Sequence, residues 1–245
     1  MTAKFDFLLK IRKNVIPEYL NFCAERVLST ETNLIGFTCL FDQTFPSIAL
    51  AKIIKEKNPT IRIVLGGYAV TGETGRHILE VFPWIDAIHQ GDGEASIVAL
   101  VKESTAEGNW KNVPGLIFRG EASLPSKKID MNDSPVPDYE DYFKALQEME
   151  DVHRIAIKNK VLSLEASRGC WWGQKSHCIF CGIDSDTMKY RQRTFDNVIN
   201  VLETLEYNYG EKVYRFADYI LPHTYHKDLI PFLKEREPRF KLACE

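Results

Sequence analysis

Cys170-Trp-Trp-Gly-Gln-Lys-Ser-His-Cys178-Ile-Phe-Cys181-Gly182 is the stretch on which the rest of the chain is read. Three of the six cysteines fall here, with seven residues between the first two and two between the last two, so they form a set and not a scatter. The apolar run Val161-Leu-Ser-Leu164 leads in through Glu165-Ala-Ser-Arg-Gly169, and a polar stretch follows. A short apolar run ending in glycine and polar residues predicts a buried strand feeding a loop. Three thiolates on one loop suit a [4Fe–4S] cluster, which cysteines hold and which normally takes four protein ligands. With three, one iron keeps a coordination site open for a substrate or cofactor, which points to chemistry at the cluster. Three other readings stand beside this one. Zinc would need a fourth ligand, and His177 offers itself, although adjacent residues on a tight loop rarely both face one metal. A disulfide with one spare thiol would need an oxidising compartment. Unpaired structural cysteines are the plainest option.

Outward from this stretch, 245 residues allow one large domain or two modest ones. Hydrophobic residues at 44% and charged residues at 27% place the chain among ordinary globular proteins. A net charge of −3 without a long basic run argues against a nucleic-acid partner. No apolar stretch approaches the ~20 residues of a membrane span, and the amino terminus Met1-Thr-Ala-Lys-Phe-Asp6 lacks a signal-peptide pattern. The expected setting is the reducing cytoplasm. Cys23, Cys39 and Cys244 are widely spaced and read as small buried apolar residues.

The spacing ahead of the cysteines predicts an α/β pattern. A helix is expected at about 17–29, a strand at 34–41, a helix through 45–57 with Pro46 near its start, and a strand at 61–65 running into Gly66-Gly67. A helix around 74–82, a strand near 85–89, the turn Gly91-Asp-Gly93 and a helix at about 94–104 complete the series. Strands alternating with helices imply a parallel sheet covered on both faces. Residues 105–160 read as a connector holding a small hairpin around Pro114–Gly120 and an extended segment, Ser134–Phe143, whose tyrosines pack on a neighbour. The domain boundary is expected near 150, giving units 1–150 and 151–245. Beyond it come a strand at 161–166, the cysteine loop, a helix at 195–209 closed by Gly210, a strand at 212–217, a helix at about 225–236 and a strand at 240–244. That is the opening of a (β/α) barrel, of which only about two and a half units fit. The expectation is a truncated product, a fragment or one part of a split enzyme.

Cys-x7-Cys-x-Phe-Cys-Gly after a strand resembles the radical S-adenosylmethionine (SAM) enzymes, whose usual spacing has three residues between the first two cysteines. The longer form, with Trp171-Trp172-Gly173 and Lys175-x-His177 inside it, looks like the cobalamin-domain radical SAM proteins of ribosomal peptide natural-product maturation, many of them C-methyltransferases. The resemblance extends to the first part of the chain through Thr38-x-Leu40, Gln43 with Ser47-Ile-Ala-Leu-Ala51, Gly66-Gly67 and Gly91-Asp-Gly-Glu94. It implies a Rossmann-like, cobalamin-binding-type sheet, incomplete at its start, followed by the first units of a radical SAM barrel. Two departures stand out. There is no Asp-x-His-x-x-Gly stretch, so no histidine is expected below the cobalt. The family also places a further strand–helix unit ahead of the position of residue 30.

By the same resemblance Cys170, Cys178 and Cys181 ligate the cluster and SAM binds its open iron. Cleavage then yields a 5′-deoxyadenosyl radical that takes hydrogen from an unactivated carbon. Phe180 would pack on the adenine and Asp218 would meet the SAM amino group. Thr38, Leu40, Gly66, Gly67, Gly91 and Glu94 would line a cobalamin site. Plainer roles exist for each: core packing for Phe180, a turn carboxylate for Asp218, ordinary turns for the glycines. Arg168 is a candidate to steady cluster charge, with local pairing as its alternative. Trp171 and Trp172 are candidates to shield the cluster or face the corrinoid, with buried aromatics filling a domain interface as the plainer reading, and Tyr190-Arg191-Gln-Arg193 is a candidate to contact SAM or a peptide. His223 and His226 are more simply helix-start residues than a metal pair.

The expected activity is cobalamin-dependent radical SAM methylation of a ribosomal precursor peptide. The expected electron donor is flavodoxin or ferredoxin, with a second chain completing the barrel. The alternatives are an epimerase or cross-linking enzyme with a vestigial cobalamin domain, and a non-catalytic binding fragment.

Overall fold

Apolar runs of strand length separated by amphipathic helices fold, in the first half of the chain, into one mixed sheet. The computed structural model describes residues 2–105, 108–122, 124–149, 160–183, 187–235 and 240–244. Strands β1 (Leu34–Thr38), β2 (Arg62–Gly66) and β3 (Ala87–His89) pair in parallel in that order. The hairpin β4 (Leu116–Phe118) and β5 (Glu121–Ala122) adds antiparallel to β3. Ile63, Val64 and Leu65 are all buried, as a strand covered on both faces requires. Ile63, Leu65, Ile88 and Ile117 face the helices Ile16–Leu28, Thr44–Lys57 and Gly72–Val81 through Ala24, Ile48, Ala51, Ile54, Ile78 and Leu79. Val64, Ala87 and Leu116 turn the other way, onto Leu100 and Val113. The hairpin expected inside a connector is therefore part of the sheet.

The amino-terminal helix begins at Thr2, well ahead of the expected start. A π-helical turn at Ile11–Val15 separates Thr2–Lys10 from Ile16–Leu28. Pro17 sits just beyond it. Proline has no N–H to donate and crowds the carbonyl four residues back, and a wider turn accommodates both. Phe5, Phe7 and Leu8 are exposed, so no buried stripe marks this segment in the sequence.

The second half carries β6 (Leu162–Leu164), the short β7 (Ser167–Arg168) and β8 (Arg191–Gln192), then β9 (Val213–Phe216) and β10 (Lys241–Ala243). β6, β9 and β10 are parallel neighbours in chain order, while β7 and β8 form a separate antiparallel pair. The helix Phe195–Tyr209 presses Val198, Val201, Leu202 and Leu205 onto Leu162, Leu164, Tyr214 and Phe216. Its ends are chemically specified: the Thr194 hydroxyl accepts from the Asn197 amide, and Gly210 closes it at φ 68°. This is the arrangement expected for the first units of a (β/α) barrel, and no closed barrel forms among the described residues.

The chain divides into Met1–Lys128 and Ile129–Glu245. The boundary expected near 150 lies outside the described residues, and the division falls earlier for a physical reason. Val136, Tyr139 and Phe143 pack on the second core, and the Tyr139 hydroxyl donates to the Ser163 carbonyl on β6. Residues 129–147 thus belong to the second unit and not to a linker. No described helix is long and apolar enough to cross a membrane.

Leu202 is fully buried at the centre of the second core. Leu202→Ala is expected to lower stability by roughly 2–5 kcal/mol, read as a shift of the urea midpoint. A midpoint equal to that of the unaltered chain would contradict this packing.

Candidate functional site

The cysteine loop leaves and re-enters the second unit through a narrow neck. Ser167 pairs with Gln192 and Arg168 with Arg191, and just beyond them the Cys170 amide donates to the Met188 carbonyl at 3.2 Å. Glycine is needed on this path. Gly169 has φ +80°, and a Cβ there would stand 2.4 Å from the Lys189 carbonyl oxygen. A Cβ on Gly173 would stand 2.4 Å from the Met188 sulfur. Inside the neck a short helix, Trp171–Lys175, starts at Cys170, whose Sγ accepts from the Gly173 amide at 3.2 Å. A turn then brings the Cys181 amide to the Cys178 carbonyl at 3.0 Å.

The thiols of Cys170, Cys178 and Cys181 are half-buried, and none of the six cysteines is in a disulfide. Among the described residues no three His, Cys, Asp or Glu side chains converge as tightly as one ion needs. A four-iron cluster bonds each thiolate to a different iron and holds its ligands further apart. The donor type suits that group: three half-buried cysteines on one loop closed at its base. Cys39 is fully buried as expected, whereas Cys244 is exposed.

The neighbouring side chains sort themselves by contact. Phe180 is 88% exposed, which removes the core-packing alternative and leaves its ring available to a ligand. Asp218 follows β9 and is buried. Its carboxylate accepts from the Ala166 amide at 2.9 Å and from the Ser167 hydroxyl at 3.0 Å, so it fastens the lead-in to the cysteine loop. Burial outweighs these bonds and raises its pKa to about 6. Arg168 forms a two-bond pair with Glu165, both at 2.8 Å, the local pairing weighed against a cluster role. The Trp171 indole donates to the Leu221 carbonyl and lies against the His223 ring, while Trp172 is half exposed. The His226 ring bonds the His223 carbonyl, as helix-start histidines do. Tyr190 donates to Gln192 at 2.9 Å, and burial pushes its hydroxyl up to about 12.

In the first unit, Thr38, Gly66 and His89 stand side by side at the carboxyl ends of β1, β2 and β3. Gly67 has φ +107°, and a Cβ there would lie 2.7 Å from the Cys39 carbonyl oxygen, so only glycine fits this turn. Gly91 has φ +92° and lies against Ser126, while Glu94 is exposed on the turn Gly93–Ala95. Three features at this edge carried no sequence signal. Phe41 is 72% exposed in a left-handed conformation, φ 38°, with its ring edge-on to Tyr68 and with Leu40 and Phe45 exposed nearby. Such a conformation is uncommon for a bulky residue and is found where a site demands it. The Thr44 hydroxyl, at the start of Thr44–Lys57, is buried without a partner. His89 meets the Ser96 hydroxyl at 2.5 Å, and burial holds its pKa down. Exposed apolar rings, an orphaned hydroxyl and a glycine turn beyond parallel strand ends fit a large ligand with both apolar and polar parts.

No protein-family model matches the chain. It is 26% identical over 201 residues to an uncharacterized methyltransferase of Pyrococcus horikoshii, covering 80% of this chain and 41% of that protein. It is 26% identical over 219 residues to the anaerobic magnesium-protoporphyrin IX monomethyl ester cyclase of Rubrivivax gelatinosus, covering 86% of this chain and 38% of that one. The chain thus spans about two-fifths of the length of these relatives. In fold it is similar to the cobalamin-dependent SAM radical enzyme OxsB with aqua-cobalamin and SAM bound. The TM-score is 0.65 at 20% identity, over 91% of this chain and 31% of that one. It is also similar to the radical SAM methyltransferase TsrM from Kitasatospora setae with cobalamin and a [4Fe–4S] cluster bound. Here the TM-score is 0.61 at 17% identity, over 94% of this chain and 47% of that one. The α/β architecture is that of this group of enzymes.

Asp218 yields a pH prediction. Its folded pKa of about 6 exceeds the ordinary carboxylate value of 3.8, so the fold favours the protonated form. The stability tied to that proton is present below the unfolded value and is lost as pH rises through 6. Asn at this position keeps an acceptor for Ala166 and can donate to the Ser167 hydroxyl, which also reaches the Ile220 carbonyl at 3.3 Å. Relative to the unaltered chain, Asp218→Asn is expected to gain about 1–3 kcal/mol between pH 4.5 and 7.5 in urea titrations. A difference that stays constant across that range would refute the assignment.

Proposed function

We propose that the chain is the cobalamin- and SAM-binding part of a radical SAM methyltransferase. The observation that carries this is the pinched loop that presents Cys170, Cys178 and Cys181 beyond a parallel strand. Its fold likeness to enzymes bearing cobalamin, SAM and a [4Fe–4S] cluster supports the same reading. When bound, the cluster and SAM supply radical chemistry, and cobalamin supplies a methyl carrier.

The protein's part is positional. Cys170, Cys178 and Cys181 would hold three irons, the Gly173 amide would keep its bond to the Cys170 sulfur, and exposed Phe180 would cover the adenine and keep water from it. Asp218, which accepts from the Ala166 amide and the Ser167 hydroxyl, would steady the lead-in to the loop and would meet the SAM amino group. Thr38, Leu40, Gly66, Gly67, Gly91 and Glu94, together with Thr44, would receive the corrinoid at the carboxyl ends of β1 to β3. A ribosomal precursor peptide as substrate, flavodoxin or ferredoxin as electron donor, and further polypeptide completing the barrel belong to the proposal on the resemblance of the cysteine loop. A second reading has its own support. The similarity to a magnesium-protoporphyrin IX monomethyl ester cyclase covers 86% of this chain, so ring closure is the competing outcome.

Anaerobic purification with analysis of iron, sulfide and cobalt tests the proposal. The expectation is about four irons per chain and bound cobalt, with iron lost and cobalt kept in the Cys170→Ala, Cys178→Ala, Cys181→Ala triple variant. A chain that takes up no iron under reconstitution would sink it. SAM-derived methyl found in the product distinguishes methyl transfer from ring closure.

A further inference from the structure

Arg193 is 2% exposed, which takes it out of reach of SAM or a peptide, the roles considered for its stretch of sequence. It is instead the point where four segments meet. Its Nε donates to the Glu165 carbonyl at 2.9 Å, and its terminal nitrogens donate to Asn197 Oδ1 at 2.6 Å and to the Pro135 carbonyl at 3.3 Å. Its own amide donates to the Ala166 carbonyl at 2.8 Å. Glu165 and Ala166 are the incoming side of the cysteine loop, and Arg193 itself is the outgoing side. Asn197 is in the first turn of Phe195–Tyr209, and Pro135 belongs to the segment ahead of the barrel strands. Asn132 reinforces the junction, its side chain accepting from both the amide and the hydroxyl of Thr194 at 2.9 and 3.1 Å.

The partners of this guanidinium are neutral carbonyl and amide oxygens, while the Glu165 carboxylate is taken by Arg168. Burial accordingly lowers the Arg193 pKa. A buried charge on neutral acceptors is a weak source of stability compared with apolar packing. What it supplies is geometry, because a rigid planar fork spans acceptors set apart around it, whereas the three donors of a lysine radiate from a single nitrogen.

We infer that Arg193 is a positioning residue for the iron–sulfur loop: by clamping Glu165 and Ala166 to the start of Phe195–Tyr209 it fixes the neck and hence the spacing of Cys170 from Cys178 and Cys181. The inference rests on the cluster-binding reading, and its test has one arm that needs no cluster.

Arg193→Lys and Arg193→Ala are compared with the unaltered full chain. In the metal-free proteins, hydrogen exchange at the Ala166, Cys170 and Arg193-position amides and alkylation of Cys170 are expected to rise about tenfold, with Tyr214 and Phe216 amides unchanged. In the reconstituted proteins, the reduced cluster's paramagnetic resonance spectrum is expected to broaden and iron to pass faster to a chelator. Added guanidinium should restore chelator resistance to Arg193→Ala. Neck exchange and spectrum equal to those of the unaltered chain would overturn the inference. So would variants in which Tyr214 and Phe216 exchange along with the neck, since that marks a merely structural role. If the unaltered chain takes up no iron, the cluster reading fails separately, and exchange and alkylation alone decide whether Arg193 sets the loop.

Discussion

A loop that must present three sulfurs in a fixed pattern has to be closed at its base, and the backbone pairing of Ser167 with Gln192 and Arg168 with Arg191 is that closure. About twenty residues lie beyond it, and tying the ends of such a loop carries an entropic penalty that two strand pairs alone offset poorly. The neck is accordingly reinforced from behind. The Cys170 amide bonds Met188, Asp218 holds Ala166 and Ser167, and Arg193 holds Glu165. These bonds engage the backbone of Glu165, Ala166, Cys170 and Met188 and the Ser167 hydroxyl, and none of them uses a cysteine sulfur. The side chains at the tip, Ile179 and Phe180, are exposed in consequence.

The first unit solves a related problem with glycine in place of side-chain anchors. At the carboxyl ends of its parallel strands, Gly67 lets the chain pass within van der Waals distance of the Cys39 backbone, and Gly91 does the same against Ser126. Backbone packed this closely cannot sag into the space beyond the strand ends, where ligands of open α/β sheets sit. Around that space the exposed groups are mixed: Leu40, Phe41 and Phe45 are apolar, Thr38 and Glu94 are polar. The buried Thr44 hydroxyl adds a polar group with no bond to another protein atom.

The parts legible in the sequence were those written in local patterns. The spacing of Val198, Val201, Leu202 and Leu205 with Gly210 beyond them is enough to place Phe195–Tyr209, and the cysteine triplet after an apolar run is enough to place its loop. The misplaced parts depend on partners distant in sequence. The hairpin Leu116–Ala122 joins the sheet because Ile117 meets Ile88, and residues 129–147 join the second unit because Tyr139 and Phe143 find its core. Asp218 and Arg193 are the instructive pair. Both are charged residues near a predicted site, and such residues are ordinarily exposed. Only the fold shows that both are buried, Asp218 bonded to the Ala166 amide and the Ser167 hydroxyl, Arg193 to the Glu165 and Pro135 carbonyls and to Asn197. Phe41 escaped notice for a different reason, since no composition or spacing marks a left-handed phenylalanine.

Relatives with about one residue in four in common include a methyltransferase and a ring-forming cyclase. A scaffold of this kind can accommodate both outcomes. The elements that fix the cysteine loop and the strand-end turns are backbone contacts, glycines and buried polar anchors. Function here resides in sites carried by the fold and not in the fold itself.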